Sequence, residues 1–255
     1  MISIVIAYYN RKKLFIETLK SMARSSYKDF EVIAVDDGSR KEERLEDLDF
    51  DFLKVVRVEP KDKWYFNSCI PYNIGIEEAR GDIIVLQNPE CLHVHDVISY
   101  VSKTVDDSNY VSISAYSFNE GMTKYLTEAI SFKNGSFIET FKLLPQKSVI
   151  DFVGWYNHSK YRPVHYHFCA ALTRNSIKKL GGFDKRYAMG IGYEDNEFID
   201  RVRRLGLKMV IADDVSVIHQ WHPKVYDLID PVFNALYKKN GVLHKKTERE
   251  RIIHV

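Results

Sequence analysis

The sequence predicts an α/β fold with a mostly parallel central sheet flanked by helices. Two observations predict it. The first half alternates short apolar runs with amphipathic stretches, the pattern of repeated β-α units. The 255 residues contain no internal repeat, no low-complexity tract and no linker long enough to separate two domains, so residues 1–222 are expected to form one domain followed by a C-terminal helix and charged tail at 223–255.

Taken in order, residues 2–7 are apolar and read as a buried first strand. Asn10 is placed to cap a helix whose apolar positions Leu14, Ile16, Leu19 and Met22 recur at roughly helical spacing. Residues 30–35 make a second strand that ends in Asp36-Asp37-Gly38-Ser39, and 53–58 make a third. A short helix over 72–79 is expected to close at Gly81. The fourth strand, 83–86, ends in Gln87-Asn88-Pro89-Glu90. A helix over 96–105 and a strand over 110–116 follow. Residues 118–166 lose the alternation and are rich in aromatic and polar side chains. Order returns as a strand at 168–173, helices at 175–180 and 195–205, and short strands at 209–211 and 215–218. Beyond Pro223 a helix is expected to about Tyr237, then a mobile charged tail.

Composition limits the function. The chain is 45% hydrophobic, enough for a full core, and its net charge of +2 provides no basic field for nucleic acid as an obligate partner. Cys69, Cys91 and Cys169 lack metal spacing and read as reduced thiols of a cytoplasmic protein. No apolar run approaches membrane-spanning length, so membrane contact is expected to be peripheral at most.

Ligands of open α/β sheets bind beyond the carboxyl ends of the strands. That rule selects one rim made of Ala7-Tyr8-Tyr9, Asp36-Asp37-Gly38-Ser39 and Asn88-Pro89-Glu90. Asp36 or Asp37 could accept hydrogen bonds from a ribose or base, although Asp-Gly is also an ordinary turn. Asn88 and Glu90 offer oxygen ligands for Mn²⁺ or Mg²⁺, or Pro89 matters only for the shape of the turn. His219, at the end of an apolar run, could complete the metal sphere, though a lone His is more often structural. Glu194 and Asp195 open a helix behind Gly181-Gly182-Phe183-Asp184 and Gly190 to Gly192. A carboxylate there can be a simple cap, but the glycines permit close approach of backbone to a ligand.

In this combination the chain resembles the GT-A-fold glycosyltransferases, especially the inverting family 2. The first strand through Asn10, the Asp-Asp-Gly-Ser turn, the run Asn73, Gly75, Ile76, Ala79, Gly81, Asp82, the Gly-Gly-Phe-Asp to Glu-Asp block and the late His all match. That block also resembles a galactosyltransferase C-terminal module. The likeness covers about Met1 to His219, with one departure: Asn88-Pro89-Glu90 stands where the family carries Asp-x-Asp.

The resemblance implies a nucleoside diphosphate-sugar donor and a glycan or glycolipid acceptor. Ala7, Tyr9, Asp36, Asp37, Asn73 and Asn88 would contact the donor, and Glu90 and His219 would bind the cation. Asp195 would be the general base, with Glu194 positioning substrate, and Trp155, Tyr156 and Tyr161 would form the acceptor wall. A catalytically silent nucleotide-sugar binding module, a retaining GT-A transferase and a nucleotidyltransferase are the alternatives. Against the last, this chain carries no Gly-rich phosphate loop with a basic residue near the N-terminus.

Overall fold

The computed structural model describes residues 1–130, 141–223 and 230–255. Its strands are β1 (Ile2–Tyr8), β2 (Phe30–Asp36), β3 (Leu53–Arg57), β4 (Ile83–Gln87), β5 (Cys91–His93), β6 (Asn109–Ser117), β7 (Gly154–Asn157), β8 (Cys169–Thr173) and β9 (Lys208–His219). The α-helices are α1 (Lys12–Ala23), α2 (Cys69–Glu78), α3 (Val97–Thr104), α4 (Glu120–Ile130), α5 (Arg174–Leu180), α6 (Glu194–Arg204) and α7 (Pro231–Glu250).

One nine-stranded sheet runs β3-β2-β1-β4-β8-β6-β9-β5, with β7 on β6. The first four strands are parallel. Beyond β4 the expected mostly parallel order breaks down: β8 is antiparallel to β4 and β6, β5 to β9, and β7 to β6, while β6 and β9 are parallel. The sheet is therefore mixed. Strands β8 and β7 flank the aromatic stretch at 158–168 and run against β6, so a pattern read from β-α units could not give their direction.

Both faces of the sheet are covered, which explains the nearly unbroken apolar strands. Along β1, Ile2, Ile4, Ile6 and Tyr8 join the core with Phe15, Leu19 and Met22 of α1 and Val97, Ile98 and Val101 of α3. Val5 points the other way, to the core of α2, α5 and α6. A third cluster of Tyr116, Phe118, Phe141, Trp155 and Ile218 fills one end.

Local readings were corrected in several places. Asn10 does not cap α1: it sits in the left-handed region at φ 49°, and its Oδ1 accepts from Arg40 N. Glu43 accepts from Lys12 N at 2.8 Å instead, so the first turn is capped from a distant loop. Gly81 does not terminate α2. A Cβ there would lie 2.5 Å from Ser3 N, so the residue is small to let the chain pass β1. Gly75 plays the same part for α2, where a Cβ would lie 2.4 Å from Val5 Cγ1. The two short strands expected near the end are one strand, β9, with a register shift opposite Ile113/Ser114. Helix α7 continues to Glu250, well past Tyr237; its expected start just beyond Pro223 lies outside the described residues. Among the described residues, no helix is long and apolar enough to cross a membrane.

Candidate active site

The carboxyl ends of β1 and β2 open onto a cleft of about 490 Å³. Ala7, Tyr8, Tyr9, Arg11, Asp37 and Lys63 line one side, and Asn67, Ser68, Gly192 and Glu194 the other. Asp37 Oδ2 pairs with Lys63 Nζ at 2.6 Å and Oδ1 accepts from Tyr65 Oη at 2.7 Å. Each oxygen keeps accepting capacity toward the cleft. Lys63 Nζ also lies 5.1 Å from the centroid of Tyr9, holding that half-exposed ring at the mouth. With Arg11 and Lys63 on its walls, the cleft offers cations to an anionic ligand.

Asp36, expected beside Asp37, faces away from this cleft. It is fully buried, with Oδ2 taking Arg57 Nη1 at 2.5 Å and Oδ1 taking Ser39 N at 2.9 Å. Its work is to hold the turn that presents Asp37. Asn73 is likewise internal. Its Nδ2 donates to Phe183 O at 2.8 Å and its Oδ1 accepts from Phe183 N at 2.7 Å, so the amide is used up tying α2 to the Gly181-Gly182 loop. A Cβ on Gly182 would lie 2.5 Å from Asn73 Oδ1, which explains the second glycine.

Deeper, Glu90 is buried at the meeting point of three basic groups. Its Oε2 takes Arg11 Nη1 at 2.6 Å, and its Oε1 lies 3.1 Å from His219 Nε2 and 3.6 Å from His222 Nε2. Strand pairing builds this cluster: β5 and β9 place Cys91 opposite His219, and Gln220 N and Nε2 donate to Glu90 O. Burial pushes the Glu90 carboxyl upward, but Arg11, His219 and His222 outweigh it and hold the group well below the usual carboxylate range. Glu90, His219 and His222 each offer a ligand atom within 4.8 Å of the others. Donors sharing one ion at about 2.1 Å from each stand roughly 3.4 Å apart, so the set fits a divalent cation. His222 joins the set beyond the two ligands the sequence suggests, and its place three residues after His219 is the signal for it. Asn88 stays outside the set, with Oδ1 accepting from Tyr72 Oη at 3.2 Å.

His219 and His222 also line a second, more apolar cleft of about 330 Å³ with Phe152, Tyr156, Arg162, Tyr166 and Trp221. Tyr156, which lines this cleft, packs edge-on to His219 at 5.0 Å. Trp155 does not reach this cleft. It is buried against Tyr116 at 5.0 Å and donates from Nε1 to Gln146 Oε1. Tyr161 packs against His158 at 4.8 Å, beside the third core cluster, and not on either cleft.

The acidic pair opens α6 as the sequence suggested. Tyr193 precedes it in the left-handed region at φ 67°, clamped by Tyr237 and His244 of α7. Glu194 lines the first cleft and accepts from Asn67 Nδ2 at 2.7 Å and Ser68 Oγ at 3.1 Å. Burial, then the neighbouring Asp195, raises its pKa above the ordinary carboxylate value. Asp195 Oδ1 lies 2.5 Å from Nδ1 of His167. This is a close ion-pair contact that is not aligned as a hydrogen bond. Burial lowers the His167 pKa, yet Asp195 and Glu194 overcome it and raise the group above its ordinary value. His167 is a functional candidate that sequence reasoning passed over as one more member of an aromatic stretch.

Three kinds of likeness bear on this arrangement. The profile described as "Glycosyl transferase family 2" matches residues 3–181, and one described as "N-terminal domain of galactosyltransferase" matches 160–222. The glycosyltransferase YfnE of Bacillus subtilis is 26% identical over 90% of this chain and 67% of its own length. The amylovoran biosynthesis glycosyltransferase AmsB of Erwinia amylovora is 25% identical over 85% of this chain and 69% of its own. The chondroitin synthase of Escherichia coli is 25% identical over 87% of this chain and 35% of its own. Among solved structures, S. aureus TarS in complex with UDP-GlcNAc superposes with a TM-score of 0.58 at 15% identity, covering 89% of this chain and 61% of TarS 1-349. The mannosyltransferase PcManGT of Pyrobaculum calidifontis, in complex with GDP-Man and Mn²⁺, gives 0.55 at 17% identity, covering 88% and 58%. The chain thus spans less than two thirds of either solved structure.

Proposed function

Because the chain belongs to glycosyl transferase family 2, we propose that it is a nucleotide-sugar-dependent glycosyltransferase that inverts the anomeric centre in one displacement. The observation that carries the reading is the convergence of two acidic segments, 155 residues or more apart in sequence, on one cleft: Asp37 on one wall, Glu194 on the other. Asp195 follows Glu194 in the first turn of α6.

In this reading the nucleoside lies against Asp37, Ala7 and Tyr9, and Arg11 and Lys63 face the diphosphate. Glu90, His219 and His222 would hold the cation. Two imidazoles in the set favour Mn²⁺ over Mg²⁺, which prefers an all-oxygen shell. When bound, a divalent cation there would stabilise charge on the departing diphosphate. Asp195 takes the proton of the acceptor hydroxyl as that oxygen attacks the anomeric carbon, with transfer late because a carboxylate is a weak base for an alcohol. Glu194, tied to Asn67 and Ser68, positions donor or acceptor. Tyr156 and the second cleft offer an acceptor wall of aromatic rings. The relatives named for amylovoran biosynthesis and chondroitin synthesis favour a glycan or glycolipid acceptor. Residues 1–222 supply these groups, and α7 completes the domain by bracing the loop before Glu194.

Asp195→Asn is expected to abolish sugar transfer while calorimetric titration shows donor binding unchanged. Near-normal turnover in that variant would remove Asp195 from the role of base.

A further inference from the structure

The reaction assigned to Asp195 requires one carboxylate oxygen to be aimed at the acceptor hydroxyl. At the end of a flexible side chain that aim needs a second group. His167 supplies one. Its side chain is only 5% exposed, and its Nδ1 sits 2.5 Å from Asp195 Oδ1. The ring is fixed by two edge-on aromatic contacts, Tyr72 at 4.7 Å and Phe183 at 5.2 Å. Phe183 in turn stacks on Phe198 at 4.5 Å, on the same helix that carries Asp195. Imidazole and carboxylate are thus locked to one rigid packing unit.

We propose that His167 is a positioning residue of the transfer reaction: its Nδ1 edge holds Oδ1 of Asp195 in a close ion-pair contact and leaves Oδ2 to meet the acceptor hydroxyl. This rests on the reading of Asp195 as the base. The arrangement also answers a local electrostatic problem. Glu194 and Asp195 are adjacent carboxylates in one helical turn, and an imidazole at ion-pair distance from Asp195 offsets their repulsion. The raised pKa of His167 reports that same attraction from the imidazole side. No proton needs to leave the imidazole: the acceptor's proton ends on Asp195, and His167 keeps its own.

Among the described residues, the charged groups acting on the imidazole are Asp195 and Glu194, the Tyr72 ring packs against it, and Asp195 alone stands at ion-pair distance. An amide nitrogen at Asn δ2 occupies nearly the position of Nδ1, so Asn can keep a polar N–H against Oδ1 while Leu fills the space without one. His167→Leu is expected to lower kcat by about 100-fold with donor binding unchanged, the scale of a misplaced catalytic group, and His167→Asn to recover most of that loss. Melting temperature and donor titration of both variants establish that each is folded. Two results would overturn the proposal: His167→Leu turning over at the wild-type rate, or folded His167→Asn losing as much as His167→Leu. Asp195→Asn, run alongside, separates the two readings. If Asp195→Asn is inactive and His167→Leu is active, only the role of His167 falls. If Asp195→Asn is active, the base itself is wrongly assigned.

Discussion

Glu90 concentrates most of what one residue can do in this site. It is buried, and two imidazoles and a guanidinium surround its oxygens. Removing one member of such a buried ion pair typically costs about 3 kcal/mol, because the Arg11 guanidinium is left without compensation. Glu90→Gln is therefore expected to lower stability by roughly that amount at pH 7. The folded pKa is depressed, so the contribution is complete above the ordinary carboxylate value near 4.5 and fades as pH falls through the lower folded value. Urea unfolding of wild type and Glu90→Gln at pH 7 and at successively lower pH should show the gap closing on the acid side. A gap that is constant with pH would mean the ionised carboxylate is not its source. The same variant should also lose any response of nucleotide affinity to Mn²⁺.

At the scale of elements, the loop before α6 is held from outside. Asn240 of α7 donates from Nδ2 to Gly192 O at 2.9 Å and to Tyr187 O at 3.1 Å, and Ile191 N reaches Leu236 O. A Cβ on Gly190 would lie 2.1 Å from Asn240 Oδ1. Gly190→Ala should destabilise by about 1–3 kcal/mol, the usual cost of overpacking. Adding Asn240→Ala should relieve part of it, so that the two losses are not additive by thermal melt. The contrast between what sequence revealed and what it hid is clearest here. Strands β1 to β4 were legible because short apolar-rich runs between turn residues leave little choice. The Asp-Asp-Gly-Ser turn and the Glu-Asp helix start were legible as motifs. The partners that give those motifs their roles were not: Arg57 beneath Asp36, Phe183 on Asn73, His167 on Asp195, and α7 behind Gly190. Each is a contact between segments far apart in the chain, and periodicity carries no information about such contacts. Trp155 was misjudged for a related reason, since an aromatic residue reads alike whether it lines a cleft or packs beneath one.

Across the whole molecule the division of labour follows the sheet. The parallel half presents the cleft with Asp37, and the mixed half brings Glu90, His219 and His222 together through β5 and β9. Arg11, on the first cleft, and the two imidazoles, on the second, meet at one carboxylate, so Glu90 is the partition between two chambers. Ending the chain at residue 230 should leave the sheet intact by circular dichroism and keep nucleotide binding, while turnover falls at least about 10-fold through loss of the brace on the Gly190–Gly192 loop. Retained full turnover would show that α7 serves another purpose. The brace also has a consequence for synthesis on the ribosome. Every group of the Asp37 wall lies in the segment from Ala7 to Tyr65, so it is made well before Asn240. A nascent chain can therefore shape its nucleotide wall long before the loop carrying its acidic pair is fixed, and that loop gains its brace only once α7 has been made.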